Sequence, residues 1–312
     1  PCRGQAASLL MLVVSLLPTI ASASPADVSE VAPGVFVHIG QVAEASAANA
    51  GDTSNWGFVV GERCVAVIDT GGSAATGSAL REAVRAHTDR PVCAIVITHG
   101  HPDHLLGLAA VAEGGIAAGE LAVRQLAHQR LAAAVAARTP AYRTLAQRQL
   151  GLAGPPQIIV PGERVDGEVM LDLGGRQLRL QTWKTAHTDH DLTVYDLQTR
   201  TLFAGDLLFV THLPVVDGNL SGWLAQTPAL RQLGSLRTVP GHGPVVKGDG
   251  WQAQTEYLSG LRHAVREALK QRVPLQHAVE AVPAPDGWQL TEVYHRRNVT
   301  AAYAELEWED GD

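Results

Sequence analysis

Chemistry in this 312-residue chain is most concentrated in the stretch VITHGHPDHLLG, residues 96–107. It places His99, His101, Asp103 and His104 within six positions. Imidazoles crowded beside a carboxylate are costly in an apolar interior unless they are paired. A metal ion pairs with all of them at once. His99 and His101 lie two apart on an extended segment, so their rings project from the same face. Asp103 and His104 open a following helical pattern. A helix N-terminal carboxylate explains Asp103 alone and leaves the histidines without a role, whereas metal ligation explains all four.

Three more pieces stand at strand ends: His187 in TAHTDHDL, Asp206 in AGDLLF and His242 in VPGHGPV. Glycines on both sides of His242 allow close backbone approach. Any one of these alone suits an ordinary loop, but four pieces in this order point to a single site. His190 and Asp191 read either as supports for a ligand at His187 or as surface groups. His212, in the loop after Asp206, is a candidate for substrate contact. The remaining histidines have no ligand-like neighbours and read as packing or surface residues.

The elements that must position these groups follow from periodicity. GVFVHIG, NWGFVVG and RCVAVIDTGG are apolar runs bounded by glycine and predict strands. SAATGSALREAVRAH predicts a helix, and PVCAIVITH a buried parallel strand. The histidine cluster lies where that second strand ends, the usual place for a site in α/β folds. Residues 119–150, rich in Ala, Arg and Gln, predict helix throughout, divided at Pro140. QIIV, EVMLDL, RQLRLQTW, DLTVYDL, RTLFAGD and SLRTVPGHG predict further strands, with a hairpin turn in DLGGRQ. The last sixty residues are mainly helical in pattern. RCVAVIDTGG and TRTLFAGDLL, each an apolar strand ending in aspartate, hint at two similar halves facing one another. No low-complexity linker separates them, which predicts a single domain.

Hydrophobic residues make up 46% and charged residues 18% of the chain, as in soluble globular proteins. A net charge of −7 without a Lys/Arg run argues against a nucleic-acid groove. The uncharged run LLMLVVSLLPTIASAS ends in Ala21-Ser22-Ala23, which predicts a signal peptide over 1–23, cleaved after Ala23. The run is short for a membrane span, and Pro18 interrupts it. The domain then covers 24–312. Cys64 and Cys93 sit at equivalent places in CVAVID and CAIVIT. Neighbouring strands would let them pair in an oxidising compartment. The geometry that a strand-to-strand bridge demands favours the other reading, two buried free thiols.

The ordered set His-x-His-x-Asp-His, His, Asp, His resembles the metallo-β-lactamase superfamily, over about residues 30 to 260. Asp69 in VIDTGG resembles its structural aspartate. The resemblance implies an α/β fold of four layers, an αββα sandwich, with a helical insertion at 119–150 and a helical extension at 250–312. It implies His99, His101 and His187 as ligands of a first metal, Asp103, His104 and His242 as ligands of a second, and Asp206 as the bridge. Two zinc ions per chain are implied. The ligand types suit zinc and also admit iron or manganese. Two such metals about 3.5–4 Å apart turn a bridging water into a hydroxide near neutral pH, which attacks an ester, thioester, lactone or related electrophile. Asp103 would orient that nucleophile and carry its proton.

Zinc β-lactamases that resemble HTDHDLTVY carry cysteine where this chain has Asp206, and hold the drug's carboxylate with a downstream lysine. The loop LLFVTHLPVVDGNLSGW has no lysine. EVAPGVFVHIG, GFVVGERCVAVIDTGG, TAHTDHDLTVYD, GDLLFVTHLPVVDG and RRNVTAAYAELEWE together resemble the exported, sulfur-oxidation-protein-related metallohydrolases associated with quinoprotein relay systems. That resemblance implies a periplasmic or secreted zinc hydrolase with a small-molecule substrate and a quinoprotein partner, binding no nucleic acid and, after cleavage, no membrane. The competing readings are an iron-dependent persulfide dioxygenase, a metallo-β-lactamase, and a non-catalytic accessory protein for a quinoprotein.

Overall fold

In the computed structural model, which describes residues 27–113 and 123–309, the apolar strands build two facing sheets. The signal peptide expected over 1–23 lies outside the described residues. In the first half, strands β1 (Ser29–Ala32), β2 (Val35–His38), β3 (Trp56–Val60) and β4 (Val65–Ile68) form an antiparallel meander. Helix α1 (Ala74–His87) begins at a capping box between Ser73 and Thr76, which satisfies free N–H groups of its first turn. It returns the chain so that β5 (Val92–Ile97) pairs parallel to β4. Two short helices, α2 (Pro102–Leu105) and α3 (Leu108–Glu113), precede β6 (Arg124–His128), α4 (Leu131–Gln149) and β7 (Glu163–Val165). Strands β6 and β7 extend the sheet in parallel.

The second half opens with the hairpin β8 (Glu168–Asp172) and β9 (Gln177–Thr182). Gly174 and Gly175 take positive φ in its turn. Then come β10 (Leu192–Asp196), β11 (Thr201–Phe209), helix α5 (Leu220–Gln232), β12 (Arg237–His242) and β13 (Val246–Lys247). β12 runs parallel to β11. Helices α6 (Gln252–Lys270), α7 (Leu275–Ala281) and α8 (Thr291–Glu309) finish the chain. Among the described residues none of the helices is long and apolar enough to cross a membrane.

Alternation along the strands assigns the layers. Ala66 and Ile68 of β4 and Ala94 and Val96 of β5 pack between the sheets, against Leu178, Leu180, Val194 and Phe203. Their neighbours Val65, Val67, Ile95 and Ile97 face the other way, against Leu80 and Val84 of α1 and Val135 of α4. Leu202 and Ala204 of β11 turn outward to Trp223, Leu258 and Val299 of α5, α6 and α8. Helices therefore cover both outer faces of the paired sheets, the four-layer arrangement expected. Arg176 makes one of the polar ties that cross the sandwich. Buried Arg176 donates Nε and Nη2 to Asp196, 3.1 and 2.6 Å away, and Nη1 to the carbonyls of Pro33 and Val60.

Three sequence expectations change. The stretch 119–150 is not helical throughout, because Arg124–His128 is a strand. Its Leu126 and Ala127 are buried, and pairing on both edges outweighs the helix propensity of the surrounding alanines. Nor does Pro140 divide the helical part, since α4 runs through it. The carbonyl that the proline leaves without a partner belongs to exposed Ala136, where solvent can satisfy it. QIIV is not a strand. Prolines at 155, 156 and 161 remove ladder donors on both sides, and Ile158, Ile159 and Val160 pack against the first sheet as irregular chain.

The cysteines also depart from the favoured reading. Parallel pairing of β4 and β5 brings Cys64 and Cys93 to a Cα–Cα distance of 5.7 Å, and they form a disulfide across 29 residues. A loop of that length stabilises the native state by about 3–4 kcal/mol in the chain-entropy account. A Cys64→Ala, Cys93→Ala protein is therefore expected to melt several degrees lower in a calorimetric scan, with its metal content unchanged. An unchanged melting temperature would contradict that.

Candidate metal centre

All seven expected ligands converge at one end of the sandwich. His99, His101, His187 and Asp206 form one group, Asp103, His104 and His242 another, with ligand atoms in each within 4.8 Å of one another. His99 and His101 follow β5, Asp103 and His104 sit on α2, and His187 lies in the loop before β10. Asp206 is in β11 and His242 ends β12. Asp206 reaches both groups. Its Oδ2 is 3.6 Å from His99 Nε2 and 3.3 Å from His187 Nε2, and its Oδ1 is 3.1 Å from His104 Nε2. The backbone makes room for this carboxylate, because a Cβ at Gly241 would sit 1.8 Å from Asp206 Oδ1.

Each histidine commits one ring nitrogen to a fixed acceptor and turns the other inward. His187 Nδ1 donates to the Val215 carbonyl and His242 Nδ1 to the Thr53 carbonyl, each at 2.8 Å. His104 Nδ1 donates to Asp69 Oδ2 at 2.8 Å. Asp69 has φ 57° and also accepts from Thr98 N and Oγ1, which leaves Thr98 Oγ1 to accept from His99 Nδ1 at 3.2 Å. His101 Nε2 donates to Asp217 Oδ2 at 3.0 Å. The inward atoms then carry lone pairs. His99 Nε2, His104 Nε2 and Asp206 Oδ1 are buried with no hydrogen-bond partner. Buried acceptors left facing one another are costly, and a cation among them removes that cost. The donor set therefore fits divalent metals.

The carboxylates of the site also draw protons onto two of these rings, where a bound cation would stand instead. Burial disfavours charge on His104, but Asp206, Asp69 and Asp103 outweigh it and hold its pKa well above the usual imidazole value. For His242, burial is overcome by Asp206 and Asp103, which push the pKa up to about 9. Burial keeps His187 neutral, with a pKa of about 3. Burial would raise Asp103 and Asp206, yet the surrounding imidazoles hold both well below the carboxylate range. Three carboxylates thus draw positive charge to this point.

Several supporting residues carry no motif. Asp217 accepts from His101 and from Arg138 of α4, and these partners outweigh its burial to keep it ionised. Ser54 Oγ donates to the Asp103 carbonyl at 2.5 Å. Asn298 of α8 donates to the Pro214 carbonyl and accepts from Val216 N, steadying the loop that carries Val215 and Asp217. His190 and Asp191 are buried and touch no ligand atom. His190 Nδ1 bonds Asp189 and its ring packs against Gly100, while Asp191 accepts from Thr188 N and Oγ1. His212 lines the cavity above the ligands. Burial holds it near a pKa of about 4, its Nδ1 donates to the Leu213 carbonyl, and its ring lies 4.7 Å from that of His242.

Because Asp217 fixes the His101 tautomer, Asp217→Ala is expected to weaken metal binding at the first group about 10–100-fold. Chelator competition on the purified protein reads this. Equal affinity in both proteins would show that Asp217 serves Arg138 alone.

No curated protein sequence matches the chain. Among solved structures it is similar to the sec-alkylsulfatase Pisa1 from Pseudomonas sp., at 17% identity and TM-score 0.66, over 92% of this chain and 51% of that one. A double mutant of the sec-alkyl sulfatase PisA1 gives 18% identity and TM-score 0.65, over 90% and 50%. This chain thus spans about half the length of that sulfatase. A metallo-beta-lactamase from Pontibacter korlensis gives 22% identity and TM-score 0.60, over 75% of this chain and 98% of that one. These likenesses show a shared fold. The family model described as the metallo-beta-lactamase superfamily matches residues 50–273, a span that contains every converging ligand and most of the chain. By that match the chain belongs to the metallo-β-lactamase superfamily, and its ligands are arrayed as metal chemistry requires.

Proposed function

We propose that this protein is an exported binuclear zinc hydrolase that cleaves an ester, thioester, lactone or related electrophile. The observation that carries the reading is the double ligand group joined by Asp206. His99, His101, His187 and Asp206 would hold one zinc ion and Asp103, His104 and His242 a second, and zinc held there would supply a hydroxide near neutral pH and polarise the substrate oxygen. The chain's own residues do the rest. Asp103 Oδ2 lies 3.2 Å from His242 Nε2, and its partly exposed carboxylate faces the cavity, where it accepts a hydrogen bond from the nucleophile and takes up its proton. Neutral His212 presents its free nitrogen as an acceptor. Leu106, Val216 and Phe209 restrict water around the reacting atoms.

A disulfide suits an oxidising compartment, which supports the periplasm. The quinoprotein partner rests on the sequence resemblance. An iron-dependent persulfide dioxygenase would need only two histidines and an aspartate, and the complete second group of Asp103, His104 and His242 favours hydrolysis instead. The test is elemental analysis of protein purified without added metal. About two zinc ions per chain are expected, and about one iron per chain would replace this reading with oxygen chemistry on sulfur.

A further inference from the structure

The cavity over the metal centre shares part of its wall with another. It has a volume of about 310 Å³. Gly72, Leu106 and Leu150, in its wall, also line a second cavity of about 320 Å³. This shared wall, in which Leu106 and Leu150 belong to one packed cluster, lies directly against the ligands, because a Cβ on Gly72 would come within 3.2 Å of Asp103 Cα.

The two chambers differ in chemistry. The first presents Asp103, Asp206, His212 and His242. The second is walled by Leu106, Leu150, Leu152, Pro156 and the methyl groups of Ala109 and Ala110. Its polar groups offer little inside. Ser73 is engaged in the capping box of α1, and Glu113 and Gln157 are exposed. Such a chamber gives water few partners and rewards an apolar occupant.

We infer that the substrate carries an unbranched apolar acyl chain, which leaves the metal centre past Leu106 and Leu150 and lies in the second cavity. This rests on the hydrolase reading above. Water adds across the acyl C–O or C–S bond: its oxygen joins the acyl carbon, the bond to the leaving group breaks, and a proton passes to the departing alcohol or thiol. The polar head then sits with the metal ligands while the chain stays dry.

Straight-chain alkanoates from acetate to dodecanoate, below their micelle concentrations, probe this as product analogues. Isothermal titration calorimetry on the metal-loaded protein is expected to show affinity rising about fourfold per methylene until the chamber is filled. Ala109→Phe, which fills the chamber, is expected to bind acetate as before and to lose the gain for long chains. Ala75→Trp, at the exposed rim on α1, is a second block that leaves the buried core untouched. Affinity that is flat from acetate to dodecanoate overturns the inference. So does an equal chain-length gain in the parent and in whichever blocked variants fold. Binding needs no turnover, so a steep series in a protein that hydrolyses no ester, thioester or lactone would refute the hydrolase reading and leave the cavity assignment standing.

Discussion

Asp103→Asn is expected to lower turnover on an activated ester by about 10²–10⁴-fold while both groups of histidines keep their places. His104 and His242 hold the Asp103 carboxyl well below its ordinary pKa, so it stays an ionised acceptor across the working pH range. Asparagine keeps the size and can still accept through one oxygen. It offers an amide where the second carboxylate oxygen stood, and it cannot take up a proton. The backbone contact from Ser54 Oγ to the Asp103 carbonyl does not depend on the side chain, so α2 is retained. Turnover measured alongside metal content separates the two roles. Full activity with two metals bound would remove Asp103 from the chemistry. Lost activity with one metal lost would make it a ligand first.

The second large effect comes from a residue with no side chain. Gly241→Ala is expected to empty the site of at least one metal and to abolish turnover. Its methyl group would sit 1.8 Å from Asp206 Oδ1 and 2.9 Å from the Gly205 carbonyl carbon, far inside van der Waals contact. Asp206 must then leave the position from which it reaches both groups. Overpacking a buried site costs about 1–3 kcal/mol, too little to unfold most domains of this size, so the loss should appear as metal content rather than as solubility. Gly260→Ala is the matched control. Nothing lies within 4 Å of a Cβ there, it sits within α6, and the change should stabilise the helix slightly. Two zinc ions retained in the Gly241→Ala protein would contradict the bridging role of Asp206.

The ligands were legible in the sequence because metal chemistry restricts residue type and spacing together. The HGHPDH run needs only local chain to be recognised, and the pieces at His187, Asp206 and His242 read as strand ends, although only His242 ends its strand, His187 lying in a loop and Asp206 within β11. The layer order was expected from the family resemblance alone: β4 and β5 are apolar throughout, and only the packing shows which residues face the second sheet and which face α1. What could not be read depends on tertiary partners. Arg124–His128 looks helical by composition and is a strand because β5 and β7 flank it. Cys64 and Cys93 bond because two strands lie in register, which no spacing states. Asp217 is a lone aspartate in a turn until His101 and Arg138 are seen on either side. Asn298 reads as a contact near the C-terminus, but its partners at Pro214 and Val216 lie more than eighty positions away.

The division of ligands between the halves has a further consequence. His99, His101, Asp103 and His104 come from the first sheet's side, whereas His187, Asp206 and His242 come from the second's. Neither half holds a complete set for either ion. Each bound ion is therefore a rivet through the sandwich, and the free energy of binding adds to the cohesion between the sheets, since an ion bound only by the folded form stabilises that form. Chelation should then loosen the molecule along the seam. Backbone amides of β11 and β12 should lose protection against hydrogen exchange together with those of β5, while α6, which carries no ligand, exchanges as before.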